Sequence, residues 1–235
     1  MDEKMLKTSW KQRLGIAIIA AILLGSTVAV YVSIVLSKNS TPSTVNEEQM
    51  AELQAKYEEK YTEYSAKAAE LNSQYYDEFS QYRSQVSAYN AETANGGGIV
   101  TKDLKIGDGD ELTLDSYGYA AYYIGWCADE KVFDSSFDNF ESPTTLTAPL
   151  IVAEGGMIEG WGMGLNGMKV GGVREITIPG EFAYGEDYDP CGNDGKNVPL
   201  KFVVMTLKVS DEFSQLANDL SSIYTELMYA SYGVQ

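Results

Sequence analysis

The sequence predicts an α+β fold in which a mostly antiparallel sheet wraps over one short helix. Three observations support this fold class. Segments rich in β-branched and aromatic residues, separated by Gly- and Asp-containing turns, recur between residues 99 and 209 and are typical of strands. One short segment among them has helical spacing instead. Longer amphipathic patterns, typical of helices, lie before and after this region.

Composition excludes several functional classes. The chain has 235 residues, a formal net charge of −17, two cysteines and no histidine. Strong acidity argues against nucleic acid as a partner, because phosphates attract Lys and Arg clusters. The absence of histidine excludes Ser-His-Asp triads and histidine-ligated zinc, and two cysteines are too few for a structural zinc site. We therefore expect no cofactor and no metal.

An uncharged segment near the N-terminus predicts a membrane anchor. Leu14 to Leu36 contains no charged residue over 23 positions, and a bilayer needs roughly 20 apolar residues. The segment is too long for a secretory signal peptide and has no polar face to suit a core helix. Four basic residues precede it, at Lys4, Lys7, Lys11 and Arg13. We predict a cytoplasmic stretch 1–13, a transmembrane signal anchor 14–37, and an extracytoplasmic remainder.

The part of the chain after Ser40 is strongly acidic. It holds 12 Lys and Arg against 32 Asp and Glu, a net charge of −20. This charge opposes contact with anionic lipid surfaces. Residues 38–44 are polar and predict a short linker.

A long amphipathic helix is predicted for residues 45–94. Thr44 and Glu47 have the spacing of a capping box, and no Gly or Pro follows until after Ala91. Large side chains recur mostly in steps of three and four: Met50, Leu53, Tyr57, Tyr61, Tyr64, Leu71, Tyr75, Phe79, Tyr82, Val86 and Tyr89. Three roles stay open for this helix: a spacer packed on another helix of the same chain, a homo-oligomeric coiled coil, or an arm that grips substrate. The glycines of segment 95–98 predict a hinge that lets the next domain pivot.

The elements of residues 99–209 follow in order. "IVTKDLKIGDGDELT" predicts a strand ended by a Gly-Asp-Gly turn, and "YAAYYIGW" predicts a buried strand that turns through "ADEK" into "VFDSS". "VREITIP" (173–179) and "PLKFVVMTLKV" (199–209) predict two further strands. Helical spacing defines the short inner helix, at Met157, Ile158, Trp161, Leu165 and Met168.

A second amphipathic helix is predicted for residues 210–235, beginning at Ser210. Its apolar stripe needs a partner, and the tyrosine stripe of the first long helix is the obvious candidate. The apolar positions of this stripe are Phe213, Leu216, Leu220, Ile223 and Leu227.

The stretch "KVFDSSFD" raises a question about Asp134, which follows an apolar pair and precedes two serines. Its carboxylate could be a catalytic acid, a loop cap for Ser135 or Ser136, or the polar wall of an apolar pocket. Local sequence does not decide among these three.

Residues 99–209 resemble the FKBP-type peptidyl-prolyl cis-trans isomerases. The resemblance rests on "DLKIGDGDE", "YYIGW…KVFDSS", "MIEGWGMGLNGMKVGGVREITIPGEFAYGE" and "PLKFVVMTLKV", which occur in the family's order and near its spacing. It implies an FKBP-like antiparallel sheet wrapped over a short helix, with an apolar cleft between them that takes the proline ring. The implied partners are proline-containing polypeptides, and Asp134 becomes a wall of the pocket rather than an acid.

The resemblance also implies a set of site residues. Ile158 would offer its backbone N–H to the substrate carbonyl, Tyr184 would reach a second carbonyl, and Trp161 would floor the cleft. The implied catalytic residues are Tyr123, Phe133, Asp134, Ile158 and Tyr184, and the implied substrate-binding residues are Met157, Trp161 and Phe202.

Departures from the family pattern predict altered binding. The loop after Tyr184 usually carries an Ile-Pro-Pro-like lip, whereas here it is "DYDPCGNDGKNVPL". An aromatic that usually closes one side is also missing, and Ala148 or Leu150 falls near its place. We expect weaker binding of macrolide FKBP ligands and lower turnover. Arg174 and Glu175 are expected to be ordinary surface charges of the sheet.

The two cysteines leave two alternatives open. A Cys127–Cys191 disulfide would tie the acidic loop to the sheet edge, and such bonds persist outside the cytoplasm. The alternative is two unrelated thiols, because separation in space does not follow from the sequence.

Overall fold

The computed structural model describes residues 47–192 and 195–232. They form two units that are described separately: residues 69–209, and residues 47–68 with 210–232. Within the described ranges, no helix combines the length and apolarity needed to cross a membrane. The predicted anchor 14–37, with the stretch 1–13 and the linker 38–44, lies outside the described residues.

One antiparallel sheet forms the centre of the unit of residues 69–209. The strand bounds are β1 Val100–Lys105, β2 Ala120–Trp126, β3 Val132–Ser135, β4 Leu150–Ile151, β5 Val173–Ile178 and β6 Leu200–Leu207. The strands follow the order β1-β5-β6-β2-β3, and β4 also pairs with β2. Strands β3 and β4 lie along the same edge of β2, toward opposite ends. This confirms the predicted antiparallel sheet.

One face of the sheet is covered by the short inner helix α3, Glu159–Leu165. Two of its glycines have a packing reason. A Cβ at Gly160 would collide with Ile178, and a Cβ at Gly164 would lie 3.0 Å from Cγ2 of Ile176. The helix can therefore approach the sheet closely enough to bury Trp161 beneath it.

The expectation that Arg174 is a surface charge is wrong. Its side chain is buried and donates to the carboxylate of Asp103, with Nε 2.6 Å from Oδ1. It also donates to the carbonyl oxygens of Gly164 and Asn166, at 3.1 and 3.0 Å. These carbonyls lie at the C-terminal end of α3, where backbone acceptors lack helical partners. Arg174 thus ties α3 to strands β5 and β1.

The opposite face is covered by the end of helix α1, Glu47–Ser80. Phe79 is fully buried there and stacks on Phe137, with ring centroids 5.4 Å apart. Asn72 is also buried: its Nδ2 donates to the carbonyl of Leu146 at 2.6 Å, and its Oδ1 accepts from the hydroxyl of Tyr122 at 2.7 Å. Residues 69–80 are therefore part of the same core as the sheet, and the compact unit begins at Ala69, 30 residues before the predicted boundary at residue 99.

The long helix predicted for residues 45–94 is wrong beyond Ser80. The chain continues as a 3-10 turn, Gln81–Gln85, and becomes extended at Val86. Only a short helix follows, α2, Ala91–Gly96.

Contacts with the sheet explain why the helix stops. The indole Nε1 of Trp126 donates to the carbonyl of Ser87 at 3.1 Å, and the backbone N–H of Tyr89 donates to Ala128 at 3.1 Å. The hydroxyl of Tyr89 donates to the carbonyl of Pro199 at 2.8 Å. These bonds satisfy backbone groups outside a helix, so tertiary contacts override local helix propensity.

The predicted hinge at 95–98 is also held in place. The side-chain oxygen of Asn95 accepts from the N–H of Gly180 at 2.8 Å, and its amide donates to the carbonyl of Asn197 at 3.0 Å. These two hydrogen bonds hold the start of segment 95–98 against the domain, so the prediction of a freely pivoting hinge is wrong at Asn95.

In the other unit, residues 47–68 of α1 pack on helix α4, Asp211–Tyr232. Tyr64 stacks on Phe213 with ring centroids 5.0 Å apart, and Tyr57 contacts Tyr224 at 6.4 Å. A salt bridge joins Lys67 to Glu212 at 2.9 Å. The tyrosine stripe therefore meets the apolar stripe of the second helix, as the sequence predicts.

We predict that Phe79→Ala lowers the free energy of unfolding by about 3–5 kcal/mol, because it opens a cavity in a fully buried site. Denaturant unfolding followed by tryptophan fluorescence measures this change. Glu70→Ala, at an exposed position of the same helix, is the control and should change stability by less than about 0.5 kcal/mol. Equal stabilities of the two variants would show that residues 69–80 are dispensable to the sheet.

Candidate active site

A hydrogen bond between Tyr123 and Asp134 lies at the mouth of an apolar groove. The hydroxyl of Tyr123, on β2, donates to Oδ2 of Asp134, on β3, at 2.5 Å. The two strands pair side by side, with Gly125 opposite Asp134. The backbone of Ser135 also hydrogen-bonds the Asp134 carboxylate. The Asp134 carboxylate thus forms a polar wall of the groove. It holds the hydroxyl of Tyr123 and also binds the backbone of Ser135.

Gly125 allows two aromatic rings to meet above the strand. A Cβ at this position would lie 2.7 Å from Cε1 of Phe202 and 2.8 Å from Cζ of Phe133. Only glycine leaves this space, and the two rings fill it in an edge-to-face arrangement with centroids 5.6 Å apart.

Trp161 forms the floor of the groove. Its ring makes edge contacts with Tyr123 and Phe202, with centroid distances of 5.8 and 5.6 Å. Its indole Nε1 donates to the hydroxyl of Tyr119 at 3.0 Å. The side chain is 1% exposed, so these contacts hold it in one orientation.

Met157 and Ile158 enter the groove where helix α3 begins. Both are partly buried and pack against the core that contains Trp161. Ile158 is the N-cap, in an extended conformation with φ −60° and ψ 149°. Across the described ranges no protein acceptor meets its backbone N–H, which is therefore available to a ligand carbonyl.

Tyr184 completes the set on the loop after β5. It keeps 38% of its surface exposed and packs edge-to-face on Tyr188, with centroids 5.2 Å apart. Tyr188 belongs to the loop that lacks the family's apolar lip, so this loop still supplies one aromatic ring.

The surroundings of the site raise the pKa values of its two tyrosines and of its carboxyl group. Partial desolvation raises the pKa of Tyr184 to about 12, and the Asp134 charge adds to this effect. Burial and the neighbouring Asp134 also raise the pKa of Tyr123. Asp134 keeps solvent contact, yet crowding by protein atoms raises the pKa of its carboxyl, while hydrogen bonds from Tyr123 and Ser135 oppose that shift.

The structure brings the eight residues implied by the resemblance close together: six belong to one apolar cluster, Asp134 is bonded to Tyr123, and Tyr184 lies within electrostatic reach of Asp134. Two further groups went unnoticed: Tyr119, which holds the Trp161 indole, and Tyr188, which packs on Tyr184. A period-2 pattern could have found the first, because Tyr119 shares the parity of Tyr123 and side chains two apart on a strand point to the same face. No local pattern marks Tyr188.

The loop opposite Tyr184 is anchored by a disulfide. Cys127 and Cys191 are bonded, with Cα atoms 6.0 Å apart. Lys131 donates to the carbonyl of Cys191 at 2.5 Å, and the carboxylate of Asp189 accepts from the N–H of Cys191 and Gly195. Covalent and polar contacts thus fix the loop where an apolar lip is missing. Within the described residues, no cluster of three or more carboxylate or thiolate groups is placed to hold a metal ion.

The site thus combines aromatic rings, one tyrosine–carboxylate hydrogen bond and the backbone N–H of Ile158. The family model for FKBP-type peptidyl-prolyl cis-trans isomerases matches residues 109–207. A protein of Neisseria meningitidis serogroup B named FK506-binding protein is 39% identical over 113 residues, which is 48% of this chain and 97% of that protein. The chain belongs to the FKBP-type peptidyl-prolyl cis-trans isomerases.

Two further comparisons concern a yeast protein and a solved bacterial structure. A Saccharomyces cerevisiae protein named peptidyl-prolyl cis-trans isomerase is 37% identical over 94 residues, covering 40% of this chain and 21% of that protein. The crystal structure of a peptidyl-prolyl cis-trans isomerase from Pseudomonas syringae pv. tomato aligns over 56% of this chain and 90% of that one, with 23% identity and a TM-score of 0.37.

We predict that Asp134→Leu lowers kcat/KM for an Ala-Leu-Pro-Phe peptide by about tenfold, equivalent to ~1.4 kcal/mol of transition-state stabilisation. The variant removes the acceptor that orients Tyr123, while the exposed position spares the fold. A protease-coupled assay measures the rate. Asp110→Leu, at an exposed carboxylate that has no place in the groove, is the control. Equal kcat/KM values for the wild type and Asp134→Leu would show that the active site lies elsewhere.

We predict that reducing the disulfide lowers the free energy of unfolding by about 2–4 kcal/mol, because the bond closes a loop of 64 residues. Thermal unfolding with and without reductant measures the loss. The Cys127→Ser/Cys191→Ser double variant should be insensitive to reductant. Two alkylatable thiols in protein purified from an oxidising compartment would contradict the bond.

Proposed function

We propose that this isomerase acts outside the cytoplasm, held at the membrane by its N-terminal segment, on exported or membrane polypeptides that are still folding. The observation that carries this proposal is the Cys127–Cys191 disulfide. Disulfides persist in oxidising compartments and are rare in the cytosol. The uncharged segment 14–37, preceded by basic residues, supports the same location from the sequence.

The proposed chemistry at the groove is rotation, without bond breaking. The barrier to rotating an X–Pro bond is about 18–20 kcal/mol because the amide is conjugated. A twisted amide is less polar than a planar one, so an apolar box formed by Phe133, Trp161 and Phe202 favours the twisted state. Twisting needs no general acid or base, which suits a site whose tyrosines stay protonated near neutral pH because burial raises their pKa values.

The polar groups have orienting roles in this proposal. The N–H of Ile158 and the hydroxyl of Tyr184 hold substrate carbonyls on either side of the proline. Asp134 holds Tyr123 against the ring floor, so that the pocket keeps its shape while the amide rotates. Binding that is stronger in the twisted state than in the planar state is what raises the rate.

Charge bears on the substrates. The net charge of −20 after Ser40 favours neutral or basic unfolded segments over acidic ones. The Neisseria relative is named for binding FK506, and we propose that macrolides of this kind bind here more weakly. The loop with Tyr188 and Asp189 presents acidic groups where an apolar lip would add contact.

Two alternatives have specific support. The acidic loop favours a catalytically weak FKBP-like module used for docking, and the peptide assay distinguishes this from an active isomerase. A homo-oligomer formed through the long helix is limited to surfaces away from Tyr57 and Tyr64, because those side chains contact α4 of the same chain.

We predict that alkaline phosphatase fused after residue 45 is active in cells, because this enzyme folds only in an oxidising compartment. A fusion after residue 10 is the control and should be inactive. A reporter that is active only in the cytosol should be inactive when it is fused after residue 45. Phosphatase activity only at residue 10 would overturn the outward orientation and the role in export.

A further inference from the structure

A second cavity of about 310 Å³ adjoins the aromatic groove. It lies between residues 112–119, residues 152–158 and helix α3. It shares Met157, Ile158 and Trp161 with the groove, but not Tyr123, Phe133 or Phe202. These three residues thus line both the groove and the cavity, and the other residues of the cavity have no part in the proposed chemistry.

Backbone hydrogen bonds fix the walls of this cavity. Gly118 donates to the carbonyl of Val152 at 2.7 Å, and Val152 donates back to Tyr119 at 2.9 Å. Gly167 donates to Leu112 at 2.8 Å. The two loops are therefore joined to each other and to the end of α3, so the space is part of the fold.

The cavity is mostly apolar, although Thr113, Ser116 and Glu159 also line it. Its floor is buried, at Leu112, Val152 and Leu165. Its rim exposes two large apolar side chains, Leu114 at 57% and Met163 at 40%. Tyr117 is 48% exposed beside them. A buried apolar floor with exposed apolar residues around it is typical of a surface that binds another molecule.

Gly162 gives an independent indication. It lies within α3, where glycine costs roughly 1 kcal/mol relative to alanine. Gly160 and Gly164 have packing reasons, but a Cβ at Gly162 would meet nothing within 4 Å. No contact within the protein explains this glycine, and it lines the cavity. A ligand that approaches the helix closely does explain it.

The polar groups of the cavity limit what can occupy it. Burial raises the pKa of Tyr119 to about 12, so its hydroxyl stays protonated. That oxygen accepts from Trp161, which leaves its own hydrogen to donate to a ligand carbonyl. Glu159 supplies the one charged side chain of the lining. An uncharged peptide segment with an apolar side chain fits these features.

We infer that the cavity binds an apolar side chain of the same polypeptide whose proline occupies the groove. This rests on the proposed function. An extended chain advances about 3.3 Å per residue, so a side chain about two to four positions from the proline can pass Trp161 and enter. The cavity then selects substrates by their flanking residues without taking part in the rotation.

The test compares peptides by affinity and by rate. Each peptide contains one Ala-Leu-Pro-Phe unit, flanked by alanines or carrying a leucine three positions to one side or the other. Gly162→Leu fills the cavity, and Gly96→Leu is the matched control, because a Cβ at Gly96 also meets nothing within 4 Å and this glycine does not line the cavity. In the wild type and Gly96→Leu, one leucine peptide should bind about tenfold more tightly than the alanine peptide, as burial of a leucine allows. Gly162→Leu should abolish this preference and leave the rate on the short tetrapeptide unchanged.

Other outcomes decide against the inference. It fails if leucine gives no gain in wild type, or if the gain survives in Gly162→Leu. If Gly162→Leu also slows isomerisation of the tetrapeptide, the variant Leu114→Ser at the rim of the cavity is measured instead. An undiminished preference of Leu114→Ser for the leucine peptide overturns the inference. Leucine-dependent binding without isomerisation of any peptide would support the cavity and refute the proposed function. Isomerisation without any leucine-dependent gain in affinity would support the proposed function and refute the inference about the cavity.

Discussion

The two central strands of the sheet bury side chains on both faces, and the rest of the unit of residues 69–209 follows from this constraint. On β2, Ala121 and Tyr123 face one core, while Tyr122, Ile124 and Trp126 face another. A sheet of this kind needs a covering layer on each side. Helix α3 supplies one layer and residues 69–90 supply the other, so the segment before the isomerase motifs is part of the fold.

The groove depends on the same alternation. Tyr119 and Tyr123 lie on the face that meets α3, and Gly125, two residues further on, leaves room for Phe133 and Phe202. The aromatic box is therefore a continuation of the core, open at one end. Its single carboxylate, Asp134, stands at that opening and keeps both solvent and a tyrosine partner. This placement gives the site an ordered rim, since the carboxylate fixes the hydroxyl of Tyr123.

In the loop after Tyr184, a disulfide and polar contacts take the place of a buried apolar lip. An apolar lip would hold its position by burying side chains. Here the segment around Cys191 is acidic and instead held by a disulfide, a lysine and the carboxylate of Asp189. Since covalent anchoring needs no apolar surface, the loop can be polar and still stay beside the groove. Tyr188 then adds one ring against Tyr184.

Patterns that depend on neighbouring residues were determined by the sequence alone. Five of the six strands described, the inner helix and the two amphipathic helices, the first of them only as far as Ser80, could be predicted because periodicity is a local property. The eight site residues were implied by the resemblance in motif order. The absence of histidine also excluded whole classes of chemistry. Tertiary structure decided what depends on distant partners. Helix α1 ends at Ser80 because Trp126 and Ala128 bind the segment that follows. Arg174 is buried because the end of α3 needs donors, and Cys127 meets Cys191 because β2 and the loop converge. None of these pairings leaves a local trace, since the free energy that selects them arises only when remote segments pack together.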